Sequence, residues 1–271
     1  MKFVYNEEKN KEMRHILMMQ PTVEEAEALL AKDDTDGYAW YVYGTALSLV
    51  GKYEEAIEAH SHGIAFDPFY APNYFGRGRR DNAVGRHWQA IADFSVAIQL
   101  DSDNWTYWYY RATTLNLHDH VEESIDDFRQ CMHLTEASEH YPLVHWMYTS
   151  YVELGKFDEA EKCLDLIDAT VEPPQMDYGY CRAVRLYKGL VKPEEYIDIP
   201  AMQKAVLPRE KRVELELNGM YYGLYCYWTL HGEPEKAAQA IRDLQKVAYP
   251  GAFGHTKSIP IAKKLGIIKD A

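Results

Sequence analysis

Three stretches of the sequence superimpose at a spacing of 34 residues, beginning near Gly37, Ala71 and Trp105. At that spacing Trp40, Tyr74 and Trp108 coincide, as do Gly44, Gly78 and Ala112, and Ala56, Ala90 and Ser124. A fixed period of this length constrains the fold more than any composition could. One helical hairpin cannot bury its own apolar face, so it must stack on the next copy.

Within residues 37–70 the residues Trp40, Tyr43, Gly44 and Leu47 fall at i, i+3, i+4 and i+7, the stripe of one helix. Gly51 is a left-handed stop. Tyr53, Ala56, His60 and Gly63 mark a second helix, which Asp67-Pro68 ends because proline cannot extend the hydrogen-bond ladder. Small residues at 44 and 56 allow the two helices to approach closely.

The pattern Trp40…Tyr43-Gly44…Leu47…Gly51…Tyr53…Ala56…Pro68 resembles the tetratricopeptide repeat nearly place for place. Residues 71–104 match through Tyr74, Gly78, Gly85, Ala90, Phe94 and Ala97. Residues 105–138 match through Trp108, Ala112, Leu115, Phe128 and Cys131, with Asp119 where the Gly stop belongs. A fourth unit, 141–174, is offset by two residues and carries Tyr148 at a small-residue place. A degenerate fifth unit spans 175–217, with an irregular stretch expected from Asp198 to Leu207. A sixth spans 218–251, and its first helix is expected to be long and to start near Pro208 or Arg209. Residues 7–36 read as a worn N-terminal unit, with Met13 and Leu17 on a first helix and Val23, Ala26 and Leu30 on a second. Residues 252–271 read as a cap, with Ser258 as its N-cap, Pro260 in the first turn and Gly266 as its stop. The resemblance implies one all-α array over 1–271, a right-handed superhelical solenoid of about six to seven antiparallel helix pairs whose first helices line a concave side.

Places 2, 5, 9 and 12 of each unit form a stripe about 100° round the first helix from the core stripe, and on this resemblance they face the groove. The candidate groove residues are Tyr38, Tyr41, Thr45 and Ser48 in the first clear unit and Pro72, Phe75, Arg79 and Asn82 in the second. Tyr109, Thr113 and Asn116 follow in the third, and His145 and Thr149 in the fourth. The sixth contributes Gly219, Tyr222, Cys226 and Thr229. Aromatic anchors and amide side chains suit an extended peptide, and Arg79 suits an acidic group on it. The same place-5 aromatics would equally pack against the next first helix, and Arg79 would equally pair with a neighbouring carboxylate. Members of the family that hold the acidic tail of chaperones use a clamp of Lys, Asn and Arg. Here those places hold Tyr41, Thr45, Gly76, Thr106 and Tyr110, or one unit later Phe75, Arg79, Tyr110, Pro142 and Trp146, so tail capture is rejected.

A formal net charge of −13 argues against nucleic acid or an anionic membrane as partner. No apolar run reaches transmembrane length, and the N-terminus carries no signal-like apolar core. The scattered Cys131, Cys163, Cys181 and Cys226 suit a reduced, cytoplasmic protein. His87, His118 and His120 fall in turns along one edge, but without further ligands they are a weak metal motif, and no cofactor is expected. Glu54-Glu55, Glu122-Glu123 and Asp126-Asp127 read as solvated faces. The sequence therefore points to a non-catalytic adaptor for a protein or peptide segment. The alternatives are a small-ligand or sugar binder using the Tyr/Trp-rich groove, or a metal-dependent enzyme using the histidine edge. Self-association through 198–208 or the C-terminal tail stays open.

Overall fold

A computed structural model of the chain describes residues 20–137, 140–168, 178–205, 212–247, 249 and 252–269. These are helices joined by turns, and the chain divides into two compact units, Met1–Thr135 and Glu136–Ala271. The division falls where the 34-residue period slips by two.

The first unit begins with α1 (Val23–Leu30). Thr22 and Glu25 close a capping box there, the Thr22 side chain accepting from the Glu25 amide and the Glu25 carboxylate from the Thr22 amide. Met13 and Leu17 lie outside the described residues. Three hairpins follow: α2 (Gly37–Leu49) with α3 (Tyr53–Phe66), α4 (Ala71–Ala83) with α5 (His87–Leu100), and α6 (Trp105–Leu117) with α7 (Val121–Leu134). The first two turns reverse through Gly51 at φ 81° and Gly85 at φ 86°. The third reverses through Asp119 at φ 66°, the one non-glycine residue with positive φ among the described residues. The His120 amide still reaches the Leu115 carbonyl at 3.0 Å, so the turn forms despite the strain.

Each recurring place of the period has one structural job. Trp40 Nε1 donates to the Asp34 carbonyl, Tyr74 Oη to Pro68 and Trp108 Nε1 to Ser102, so each place-4 aromatic ties its helix to the carbonyl six residues upstream. Gly78 lets Phe94 and the Ala90 backbone approach, and Phe94 is fully buried among Phe75, Ala97 and Tyr107. A buried ring of that size contributes roughly 2–3 kcal/mol.

A second rule recurs at the same step. Arg77 grips Asp93 through Nε and Nη2, both at 2.8 Å, and its Nη1 reaches Ser61 Oγ at 3.2 Å. One period later Arg111 grips Asp127 at 2.8 and 2.7 Å, and its Nη1 reaches Ser95 Oγ at 3.0 Å. Asp127 is buried, which corrects the reading of Asp126-Asp127 as a solvated pair: only Asp126 is solvent-facing. Successive helical residues point about 100° apart, so adjacent carboxylates need not share an environment.

The second unit is less regular. α8 (His140–Glu153) is buried on nearly every side, packed by α9 (Phe157–Cys163), α10 (Tyr178–Tyr187) and α13 (Arg212–Leu230). Tyr148 stands at the small-residue place and stacks on Tyr187 at 3.7 Å, so an aromatic pair fills space that a close helix crossing would have closed. The stretch expected to be irregular is largely helical. α12 (Ile199–Ala205) occupies most of it, following the short α11 (Pro193–Tyr196), and Asp198 Oδ1 accepts from the Ala201 amide to start α12 with Pro200 in its first turn. α13 is long, as expected, although its expected start at Pro208 or Arg209 lies outside the described residues. α14 (Pro234–Lys246) and α15 (Phe253–Lys264) complete the unit. α15 begins at Phe253, not after Ser258, and Pro260 sits inside it, whereas Gly266 ends it at φ 66° as the sequence suggests.

Candidate functional site

His60 sits between α2 and α4 in the first unit. Its ring is enclosed between two first helices, because Gly44 of α2 and Gly76 of α4 both lack the Cβ that would strike it. The ring is 1% exposed. Asn73 fixes its tautomer: Asn73 Nδ2 donates to the Gly37 carbonyl at 2.8 Å, so Asn73 Oδ1 faces His60 and accepts from Nδ1–H at 3.2 Å. Burial lowers the His60 pKa to about 4, with the positive charge of Arg80, Arg77 and Arg79 acting in the same direction and the Asn73 hydrogen bond opposing it. The imidazole is neutral at pH 7.

Above this ring lies a pocket of about 110 Å³ between α2 and α4. Four of the groove residues expected from sequence meet in it: Tyr41, Thr45, Ser48 and Arg79. Sequence reasoning missed His60, Gly76 and Arg80, which also line it. The signal available for His60 was the pairing of glycines at 44 and 76 around one second-helix position, which reads as room for a ring. Tyr41 is 3% exposed, so it forms wall more than open surface, and burial raises its pKa.

Two arginines line this pocket. Arg79 lies over Phe75 at 5.6 Å and Tyr110 at 5.1 Å, and Arg80 lies over Tyr53 at 5.4 Å. Neither has a carboxylate partner among the described residues, whereas Arg77, Arg86, Arg111 and Arg129 of the same unit all do. Burial lowers the pKa of Arg80, and the adjacent charge of Arg79 lowers it further.

The other expected groove residues are distributed differently. Tyr38 is exposed beside its Asp36 cap. Tyr109 and Thr113 are half-buried on α6, Tyr109 against Trp105 and Phe128, and Thr113 bonded to the Tyr110 carbonyl. Phe75 is 1% exposed beneath Arg79, in contact with Tyr107 and Tyr110. Its aromatic ring packs against the next first helix, the competing role the sequence left open. Asn82 bonds His87 at 2.8 Å at the turn, and Asn116 is buried with its amide on Ser124 Oγ at 3.0 Å. Asn116 therefore faces its own second helix and not the groove.

In the second unit the groove places His145, Thr149, Tyr222 and Cys226 are covered by the chain itself. Phe253, the first residue of α15, sits 4.5 Å from Trp146 and touches His145, Tyr180 and Tyr222. A Cβ on Gly219 would meet the Phe253 ring at 3.0 Å, and Gly254 crosses directly over the Asn218 backbone. Lys257 Nζ binds Glu153 at 2.8 Å, and Glu153 also accepts from Tyr222 Oη. His145 and Thr149 are 1% and 2% exposed, His145 Nδ1 meeting Tyr187 Oη at 3.1 Å. Neither is a surface residue, and the reason is α15 and α10 packing over α8. A separate cavity of about 310 Å³ lies between α13, α14 and α15, lined by Tyr225, Thr229, Pro234, Ala237, Ile261 and Leu265 among others.

Along the histidine edge, His87 and His118 stack at 3.6 Å and His120 meets Trp88 at 5.0 Å. No group of three His, Cys, Asp or Glu side chains able to hold a metal forms among the described residues, and no described helix is long and apolar enough to cross a membrane.

No family model and no curated protein matches the sequence. Solved structures do. A tetratricopeptide repeat protein from Parabacteroides merdae superimposes with a TM-score of 0.55 at 15% identity, over 91% of this chain and 91% of its own. YrrB, described as a TPR protein with an unusual peptide-binding site, superimposes with a TM-score of 0.53 at 14% identity, over 88% of this chain and 100% of its own. The chain has the tetratricopeptide-repeat (TPR) fold. A chain of the APC/C Cut9–Hcn1 hetero-tetramer shares it with a TM-score of 0.54 at 13% identity, over 86% of this chain and 45% of the other. At these identities the likeness is one of TPR architecture, and side-chain chemistry must be read from this chain alone.

Proposed function

We propose that this TPR protein is a non-catalytic adaptor that holds a peptide or protein segment against the α2–α4 face of its first unit, with Arg79 meeting an acidic group on that segment. The observation that carries the reading is Arg79 itself. It is a half-buried cation at a pocket wall, held in place by two aromatic rings and lacking a carboxylate among the described residues. A partly buried charge without a counter-ion favours binding an anion from outside. The covered face of the second unit adds to this, since the equivalent places there are already filled by α15. YrrB is a TPR protein with a peptide-binding site, which makes a peptide a fitting occupant of the same architecture.

The test is affinity capture from the native cell followed by mass spectrometry, with wild type beside Arg79→Ala. At least one partner retained by wild type is expected to be lost from the variant. An unchanged set of partners, with the variant folded by circular dichroism, sinks the reading.

A further inference from the structure

The pocket is lined by two consecutive arginines, and a single carboxylate can neutralise only one of them. Arg79 and Arg80 are consecutive on α4 and line one cavity of about 110 Å³. That space admits one small oxyanion and not two carboxylate side chains together with their stems. The Ser48 hydroxyl nearby is engaged, its Oγ donating to the Gly44 carbonyl at 2.8 Å. Recognition therefore falls to the arginines, whose planar forks suit an oxyanion with several acceptor oxygens.

The surroundings exclude a polyanion. Arg77, Arg86, Arg111 and Arg129 are committed to Asp93, to Glu54 and Asp81, to Asp127 and to Asp126. No basic track extends from the pocket among the described residues for a nucleic-acid backbone to follow, and the chain carries a formal net charge of −13. The site is a point of positive charge in an acidic protein.

We propose that the Arg79–Arg80 pocket binds a phosphoryl dianion, the phosphate of a phosphorylated serine or threonine on the bound segment. This rests on the reading that the first unit holds a peptide, and it assigns the chemistry of the acidic group. A phosphate near pH 7 carries close to two negative charges and three acceptor oxygens, which matches two guanidiniums where a carboxylate does not.

Two measurements on the full chain test this. In the first, the arginine side-chain Nε–H signals, assigned through Arg79→Lys and Arg80→Lys, are followed by NMR during titration with inorganic phosphate, then with acetate at matched ionic strength. Saturable movement of both arginines with phosphate and not with acetate is expected. In the second, immobilised protein captures peptides from a degenerate phosphoserine/phosphothreonine library, from the same library after phosphatase, and from one with Glu at the fixed position. Capture of the phosphorylated library is expected to exceed both others by about tenfold, and to be lost in Arg79→Gln and in Arg80→Gln. Free phosphate moving both signals with no library preference overturns the assignment to a peptide-borne group. Equal capture of the Glu library, dependent on Arg79 but not on Arg80, overturns the phosphoryl assignment and leaves the acidic-segment reading standing. No saturable response of either arginine, with no library captured, overturns both.

Discussion

Arg111 holds Asp127 through two parallel hydrogen bonds of 2.8 and 2.7 Å, repeating at a distance of one period the grip of Arg77 on Asp93. The pair joins the first helix of a hairpin to its second. The Asp127 side chain is 6% exposed and that of Arg111 21%, so water screens the pair little. Burial raises the Asp127 pKa and Arg111 opposes the rise, so the carboxylate depends on its partner. Asp127→Asn is expected to cost about 3 kcal/mol in urea unfolding, because it leaves a buried guanidinium short of its counter-ion. Replacing both residues by apolar ones of similar volume should cost much less. Equal costs for the single and double variants would show that the pair contributes no coupling.

Asp119 stands at φ 66° where the two preceding hairpins use glycine. A side chain there strains the backbone by about 1 kcal/mol, more than the extra unfolded-state entropy of glycine gives back. Asp119→Gly should therefore stabilise the protein by up to about 1 kcal/mol, read as a higher urea midpoint at unchanged slope. A lower midpoint would mean that the carboxylate makes a compensating contact at the turn.

Gly76→Ala sets two effects against each other. Alanine is the better helix former by about 1 kcal/mol. Its Cβ, however, would intrude on the His60 ring, already confined on the other side by Gly44. Overpacking of that kind costs about 1–3 kcal/mol and wins. The variant should be destabilised, and Gly76→Ala combined with His60→Ala should recover much of the loss relative to His60→Ala alone. Stabilisation by the single change would show that the ring has room to move.

Acid should weaken the fold through histidine. His60 is held neutral with a pKa of about 4 and His145 with one of about 3, both by burial, against an ordinary value of 6.5. Between these values the unfolded chain binds more protons than the folded one, so stability falls as pH drops. It is fully present above pH 6.5 and lost progressively towards pH 4 for His60 and pH 3 for His145. The full His60 contribution is about 3 kcal/mol. His60→Gln should flatten the decline of the thermal midpoint between pH 6.5 and 4. An unchanged slope would place the acid sensitivity elsewhere.

The hairpins of the first unit were legible because every place in the period carries a local signal: aromatics at 40, 74 and 108, glycines at 51 and 85, small residues at 44, 78 and 112. These act within one hairpin or on the next, and sequence spacing reports such contacts faithfully. The pocket was legible in part. Tyr41, Thr45 and Arg79 follow from helix geometry, but the role of Arg80 depends on which carboxylates the other arginines have taken, and a stripe does not show that. His145, Thr149 and Asn116 were misplaced for a related reason. Their burial comes from α15, α10 and α7, elements that lie outside the helix whose face was being read. The proline at 260 misled locally because the start of α15 is set by where Phe253 lodges, not by the nearest residue fit to cap a helix.

The packing of Phe253 and Lys257 over the second unit also sets a threshold. Any outside segment seeking the same contacts with Trp146, Tyr222 and Glu153 would compete with a helix tethered to the same chain. A short tether supplies its own ligand at an effective concentration on the order of millimolar. Only a competitor that binds those residues far more tightly than α15 does, or one present in great excess, would take its place. The seat on the second unit thus has an incumbent before any partner arrives.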